Sequence, residues 1–293
     1  MGARAVRRPY ACGHSGRELG RLEIQGALYE DISRAFLEQA GLARGLRVLD
    51  IGCGVGDLSL LAANMVGSSG SVLGVDRAAE PIRAARARAA RLGLRHVEFR
   101  RSEIEALRIE DVDALVGRFV LMHQAQPGRA LRAAARCVRP GGIVAILESH
   151  LSASVAGVHS WPHSPTYARM TGWIQRTLQA IGAHVDMGLR LRQTFIEAGL
   201  PSPELWLQAR VEGGAEAAIP RYVAESLRSM LPLARRFGVT RITTADVDRL
   251  ERLLRAELTQ SGGVLTSPLV VGAWCRLSPR SRPARRACTR TIP

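Results

Sequence analysis

Residues 48–57, VLDIGCGVGD, run a short apolar segment into Gly52, Gly54 and Gly56, and an acid, Asp76, follows twenty residues after Gly56. Glycines so spaced let backbone N–H groups and a helix amino terminus approach a ligand closely, and an acid about twenty residues on suits a ribose diol. The pattern is close to a dinucleotide site but differs twice. The spacing is GxGxG rather than GxGxxG, and a carboxylate, Asp50, stands immediately before Ile51-Gly52. A carboxylate there repels a pyrophosphate. It suits a ligand with a cationic amino-acid end and a sulfonium, which is S-adenosylmethionine. Asp76 fits the ribose of either ligand. Glu103 fits the exocyclic amine of an adenine, with Ile104 against the ring.

Methyl transfer from a sulfonium is an in-line displacement, so most of the work is positioning and desolvation. A base is needed only when the acceptor must lose a proton to become nucleophilic. His123 and Glu148, each just after an apolar run, are the candidates for that base. Each has a structural alternative: His123 fixing the loop that follows it, Glu148 as a solvated or helix-capping carboxylate. Trp161, His163, Tyr167 and Trp173 fall within thirteen positions, and aromatic side chains there suit an apolar or planar organic acceptor. Tyr10, His14, Trp161, Tyr167 and Trp173 are the candidates to line a substrate pocket, with packing as the alternative for each. No pattern of His, Cys, Asp or Glu identifies a metal site.

These residues need elements to position them. Leu22, Tyr29, Ile32 and Phe36 predict an amphipathic helix over about 18–40. Strand 47–51 follows, then the glycine loop and a helix with Leu58, Leu61, Ala62 and Met65 on one face. Strand 72–75 ends at Asp76, and Ile82, Ala85, Ala89 and Leu92 form the face of the next helix, closed by Gly93. Strands 97–100, 114–121 and 143–147 come next, with a helix over 128–138, which includes Cys137, stopped by Arg139-Pro140-Gly141-Gly142. Strands alternating with helices imply a doubly wound α/β fold, a parallel sheet covered on both faces with its ligand site at the carboxyl ends of the strands. Beyond 151, helical periodicity runs to Gly199, strand 204–211 leads to a Gly213-Gly214 break, helices cover about 216–260, and a last strand lies near 269–274. The divisions are a helical cap over 1–43, a cofactor-binding core over 44–150, a carboxy-terminal part of the sheet with helical substrate-cover insertions over 151–277, and a basic disordered tail over 278–293.

The formal net charge is +15, but residues 1–17 and 276–293 hold ten arginines and no acid, while the middle holds 31 arginines against 26 acids. The chain contains no lysine, and its basicity is read as compositional, because a phosphate backbone needs a continuous stripe of charge. Arg83, Arg86, Arg88 and Arg91 make one basic helix face, read as solvated. No apolar run has the roughly 18 residues a spanning helix needs, and the start lacks a signal-peptide core. The five cysteines, without a CxxC pair, are read as reduced thiols in a cytoplasm.

In order and spacing across about 45–148, VLDIGCGVGD, GVD at 74–76, FRRSEIEAL at 99–107, DALVGRFVLMH and VRPGGIVAILE at 138–148 resemble the successive motifs of class I S-adenosylmethionine-dependent methyltransferases. The resemblance implies a Rossmann-like, mostly parallel seven-stranded sheet in the order 3-2-1-4-5-7-6, the last strand antiparallel. It implies that Asp50, Gly52, Cys53, Gly54 and Gly56 line the methionyl part, Asp76 and Arg77 the ribose, Glu103 and Ile104 the adenine, and Gly117-Arg118 the region beside the sulfonium. Ser102-Glu103 departs from the Gly-Asp common in relatives. The segment GHSGRELGRLEIQ resembles one in the small-molecule branch, where a helix before the first strand covers the cofactor. Arg21 and Gln25, four apart, share one helical face and could reach the cofactor carboxylate, or form a solvated face packed by Leu22.

Three functions are compatible: methyl transfer to a small metabolite, as in secondary metabolism, with oxygen, nitrogen or carbon as the target; methylation of RNA or another nucleic acid; and a non-catalytic S-adenosylmethionine-binding regulator. The first is favoured. VLMHQAQP after the fourth strand lacks the Asn/Asp-Pro-Pro-Tyr/Phe of base-amino methylation, and aromatics for base stacking make up only 4% of residues.

Overall fold

The computed structural model describes residues 16–151 and 160–278. Tyr10, His14 and nearly all of the 278–293 tail lie outside them. Strands β1 (Arg47–Ile51), β2 (Ser71–Asp76), β3 (Val97–Arg101), β4 (Val112–Arg118) and β5 (Val138–His150) run parallel, and β10 (Leu269–Arg276) inserts antiparallel between β5 and β7 (Glu204–Gln208). The order is β3-β2-β1-β4-β5-β10-β7. Numbered within this sheet alone, that is 3-2-1-4-5-7-6 with the last strand reversed, the expected order. The central strands are apolar on both sides because helices cover both: Val48, Leu49, Ala114, Leu115, Val144 and Ile146 are all buried.

On one face lie α2 (Glu30–Gln39), α3 (Asp57–Val66) and α4 (Ala79–Arg91), and on the other α5 (Pro127–Ala135) and α7 (Met187–Glu197). Small residues on β10 and α7 set the approach distances. A Cβ on Gly272 would overlap the Phe36 ring of α2, and one on Gly188 of α7 would meet Val271 at 2.9 Å, on the opposite side of the strand. Phe36 fills the space left by Gly272, edge-on to Trp274 at 5.7 Å between ring centroids. Helices α6 (Pro165–Ala180), α8 (Ile219–Arg236) and α9 (Thr244–Ser261) form a layer over the strand ends, stitched by the small sheet β6 (Ser160–Trp161), β9 (Val264–Thr266) and β8 (Val211–Gly213). Among the described residues no helix is long and apolar enough to cross a membrane.

Several boundaries differ from the sequence expectation for identifiable reasons. The predicted helix over 18–40 breaks at Tyr29 into α1 (Gly16–Leu28) and α2. Its two halves face different partners: α1 packs on α8, while α2 packs on the sheet and α3. Tyr29 fills the corner, edge-on to Phe119 at 5.3 Å and to Tyr222 at 5.9 Å. The fourth strand stops at Arg118 rather than Leu121, because Phe119 takes φ 55° and turns the chain. Strand β5 begins at Val138, so Arg139-Pro140-Gly141-Gly142 is an irregularity inside it: Val112 pairs Val138, and pairing resumes at Ala114–Ile143. Helix α5 ends at Ala135 and Cys137 lies in the turn after it. The basic face of α4 is only partly solvated. Arg86 donates to the Phe99 carbonyl at 2.7 Å, and Arg88 donates to the Val55 carbonyl and pairs with Asp57, both at 2.7 Å. Leu92, predicted on the buried face, is exposed.

Candidate functional site

The carboxyl ends of β1, β2 and β3 open into a cavity of about 200 Å³ roofed by α1, α6 and α8. Its floor is the glycine loop. Gly52 (φ 66°) and Gly54 (φ 54°) hold the left-handed backbone that side chains disfavour, and each does something more specific. A Cβ on Gly52 would overlap Val120, which presses against the loop from the turn after β4. A Cβ on Gly54 would meet only Leu22, at 3.9 Å, so it would occupy ligand space. Asp76 holds the loop in place: its carboxylate accepts from the Gly54 N–H at 3.1 Å and from the Ala78 N–H at 2.9 Å.

Asp50 is buried beneath this loop and accepts from the Ser59 hydroxyl at 2.6 Å. Burial pushes its carboxyl up to about 7, against the opposing effects of Ser59 and of the Arg118 charge. A half-ionised buried carboxylate is the chemistry that a cationic amine stabilises, and together with the open space at Gly54 it fits the amino-acid end of S-adenosylmethionine. The Cys53 thiol, also buried in the loop, is pushed well above its ordinary range by burial and the Asp50 and Asp76 charges. It is therefore neutral.

Helix α1 reaches the cavity through a glycine. Gly26 rests directly on the Asp57 carboxyl, where any Cβ would overlap it. That seating brings Arg21, which is buried, and Gln25 to the cavity, where Arg77, Glu103, Ile104 and Arg118 also lie. Arg118 donates to Ser33 at 3.0 Å and stands 3.8 Å from Asp57. Two of the glycines expected at the cofactor, one in the loop and one in β4, stand back from the cavity. Gly56 admits the Phe99 ring, which a Cβ would meet at 2.8 Å, and Gly117 lies within the sheet against Ile51 and Val120.

The turn after β4 is held from both sides. Glu148, in β5 and fully buried, accepts from the N–H groups of Val120 (2.9 Å) and Leu121 (2.6 Å). Its other oxygen has no partner, and burial pushes the carboxyl up to about 8 despite the backbone donors. Glu148 is therefore neither a solvated carboxylate nor in the cavity lining, as supposed for a base. It is the clamp of the turn that carries His123. From the other side, His184 bonds the Gln124 carbonyl through Nε2 at 3.1 Å, and Arg190 donates to its Nδ1 at 3.0 Å, which assigns the proton to Nε2. His123 itself lines the cavity, and burial, followed by the Arg77 and Arg21 charges, lowers its pKa to about 4. At neutral pH it is an uncharged imidazole, able to accept a hydrogen bond beside a cationic ligand.

The far end of the cavity differs from the prediction. Trp161 is exposed and borders a separate cavity against α9. Tyr167 is buried and donates to the Thr266 carbonyl at 2.5 Å, tying α6 to β9. Trp173 is partly buried against the core under the Arg169 guanidinium, 5.8 Å from its ring centre. The lining comes instead from Ile174 and Leu178 of α6, from Tyr222, Ser226 and Met230 of α8, and from Phe119 and Met122 in the β4 turn. The α8 residues recur every fourth position. That spacing is the available sequence signal, and it is equally the signal of a core stripe. Among the described residues no group of three or more His, Cys, Asp and Glu is arranged to hold a metal.

A protein-family profile described as "Methyltransferase domain" matches residues 42–199, more than half of the chain. The ubiquinone/menaquinone biosynthesis C-methyltransferase UbiE of Azotobacter vinelandii is 34% identical over 128 residues, which are 43% of this chain and 51% of that protein. An arsenite methyltransferase of Halobacterium salinarum is 39% identical over 109 residues, 36% of this chain and 28% of that protein. The chain thus spans about half the length, or less, of these curated relatives. Among solved structures, the YcgJ protein of Bacillus subtilis superposes with a TM-score of 0.52 at 16% identity, covering 86% of this chain and 100% of that one, a likeness of fold.

Proposed function

The chain belongs to the class I S-adenosylmethionine-dependent methyltransferase family, and from that premise we propose that it transfers a methyl group to a small, apolar or planar organic molecule. The observation that carries the reading is the division of a single cavity: charged and glycine residues from the strand ends line one part, and mostly apolar residues from α6 and α8 line the other. The cofactor supplies the electrophilic methyl group. In this reading Asp50 and Arg21 hold the two charges of its amino-acid end, Asp76 and Arg77 the ribose, and Glu103 and Ile104 the adenine. Arg118 fixes α2 and the glycine loop against one another through Ser33 and Asp57.

His123, neutral at physiological pH, takes a hydrogen bond from the acceptor's X–H and orients its lone pair at the methyl group. With a pKa near 4 it is a weak base, which suits an acceptor already nucleophilic or acidic. Glu148 acts through the β4 turn and is a positioning residue. The apolar lining excludes water from the displacement.

The test is transfer of label from methyl-tritiated S-adenosylmethionine into a host extract, separated into small-molecule and RNA fractions. Label in the small-molecule fraction supports the reading and yields a compound to identify. Label confined to RNA overturns it. No label in either, with S-adenosylhomocysteine binding demonstrated, points to a binding protein without transfer.

A further inference from the structure

The buried helix hydroxyls of Ser59 and Thr166 donate to carboxylates, on Asp50 and Glu257. Ser33, Thr171, Thr177, Thr194 and Thr259 each donate to the carbonyl four residues back, at 2.7–2.9 Å. Ser226 does not. It stands in the middle of α8, is 4% exposed, lines the cavity, and its hydroxyl has no hydrogen-bond partner. A buried hydroxyl left unsatisfied is costly, and in this helix a back-bond was one turn away. One turn back on the same face, Tyr222 accepts from Gln25 Nε2 at 3.2 Å and is also hydrogen-bonded to Tyr29, which fixes its phenol at the cavity. Beside them in the lining Ile174, Leu178, Val223 and Met230 are apolar and buried, and the Thr171 hydroxyl is already bonded back to the Tyr167 carbonyl.

We propose that Ser226, with Tyr222, reads an oxygen substituent on an otherwise apolar ring system, so that the acceptor class is a hydroxylated or carbonyl-bearing aromatic or alicyclic compound. The proposal rests on the reading of this cavity as the acceptor end. Ser226 is a specificity residue: its hydroxyl distinguishes an oxygenated ring from its hydrocarbon counterpart, because only the former relieves the buried, unpaired group.

The experiment is isothermal titration calorimetry of the full chain, with and without saturating S-adenosylhomocysteine, using 2-naphthol and its near-isostere 2-methylnaphthalene as probes. Wild type binds 2-naphthol about ten-fold more tightly, the worth of one net hydrogen bond. Ser226→Ala abolishes that preference by weakening 2-naphthol alone, leaves S-adenosylhomocysteine affinity unchanged, and melts at or above the wild-type temperature because no native bond is lost. The proposal is overturned if the variant keeps the preference, if both probes weaken equally, if neither probe binds the wild type, or if the variant melts several degrees lower. Absence of S-adenosylhomocysteine binding to either protein would instead remove the methyltransferase reading and leave the comparison of the two probes intact.

Discussion

With Asp50 against the cationic end of the cofactor, as proposed, cofactor affinity depends on pH between 5 and 7. Burial places its carboxyl at about 7, so only about 1% is ionised at pH 5 and about half at pH 7. The amino-acid end of S-adenosylhomocysteine carries an ammonium throughout that range, and in the proposed site it favours the ionised carboxylate. If only that form binds, the dissociation constant falls about 50-fold from pH 5 to pH 7, about 2.3 kcal/mol, with about half a proton released at pH 7. The neighbouring groups do not imitate this profile. His123, at about 4, is neutral across the window, and Glu148, at about 8, stays mostly protonated and outside the lining. Asp57 is also raised by burial, but its ion pairs with Arg118 and Arg88 oppose the shift. Asp50→Asn separates the two carboxylates: it binds more weakly at pH 7 and shows a nearly flat profile. The assay is calorimetry in buffers of different ionisation enthalpy, which counts the protons directly. An equal slope in wild type and Asp50→Asn, or a flat wild-type profile, would show that Asp50 does not meet the cationic end of the ligand.

Other consequences follow from the same geometry. Arg21→Ala removes a buried charge at the cavity and weakens S-adenosylhomocysteine by roughly 10- to 100-fold, the worth of a charged hydrogen bond; unchanged affinity by calorimetry would retire its role. His123→Ala lowers turnover by about 100-fold while cofactor affinity holds, and the wild-type rate shows no inflection from this residue above about pH 5, since its imidazole is already neutral; normal turnover would assign it to the loop alone. For Glu148 the sign is that of a raised acid. Between its ordinary 4.5 and about 8 the folded chain keeps a proton that the unfolded chain has released, so stability falls as pH rises through that window. Glu148→Gln still offers an oxygen to the Val120 and Leu121 N–H groups and flattens that decline, a difference on the order of a few kcal/mol at pH 9 by urea unfolding.

The strand-end part of the cavity lining was legible because its residues are local in sequence. A strand, a glycine turn and a helix amino terminus must lie together once β1 forms, and each later acid sits at the end of its own strand. The alternation of strands and helices implied a parallel sheet, and the strand order came from the family resemblance that the motif succession carries. Less legible were residues whose role depends on what lies opposite. Glu148 follows an apolar run and looks like the end of a strand; it is interior because β10 pairs with β5 through to His150 and covers it. Gly26 is unremarkable in a helix until Asp57, thirty-one residues on, is found beneath it.

The α6 and α8 part of the lining was less legible for a related reason. Trp161, Tyr167 and Trp173 suit a pocket by residue type, yet a large aromatic satisfies its burial as well in a lid's own core as in a cavity wall. Tyr167 does the former, with its hydroxyl on Thr266. Tyr222, Ser226 and Met230 follow the four-residue spacing of any buried helix stripe, and spacing reports burial without reporting what the buried face meets. At Ser226 the folded chain adds what spacing does not report, a buried hydroxyl without a partner. Five helix hydroxyls elsewhere in the chain donate to the carbonyl one turn back, whereas Ser226 leaves its hydroxyl unpaired beside a cavity. That difference exists only in the folded chain, because it is the absence of a bond that the local sequence permits.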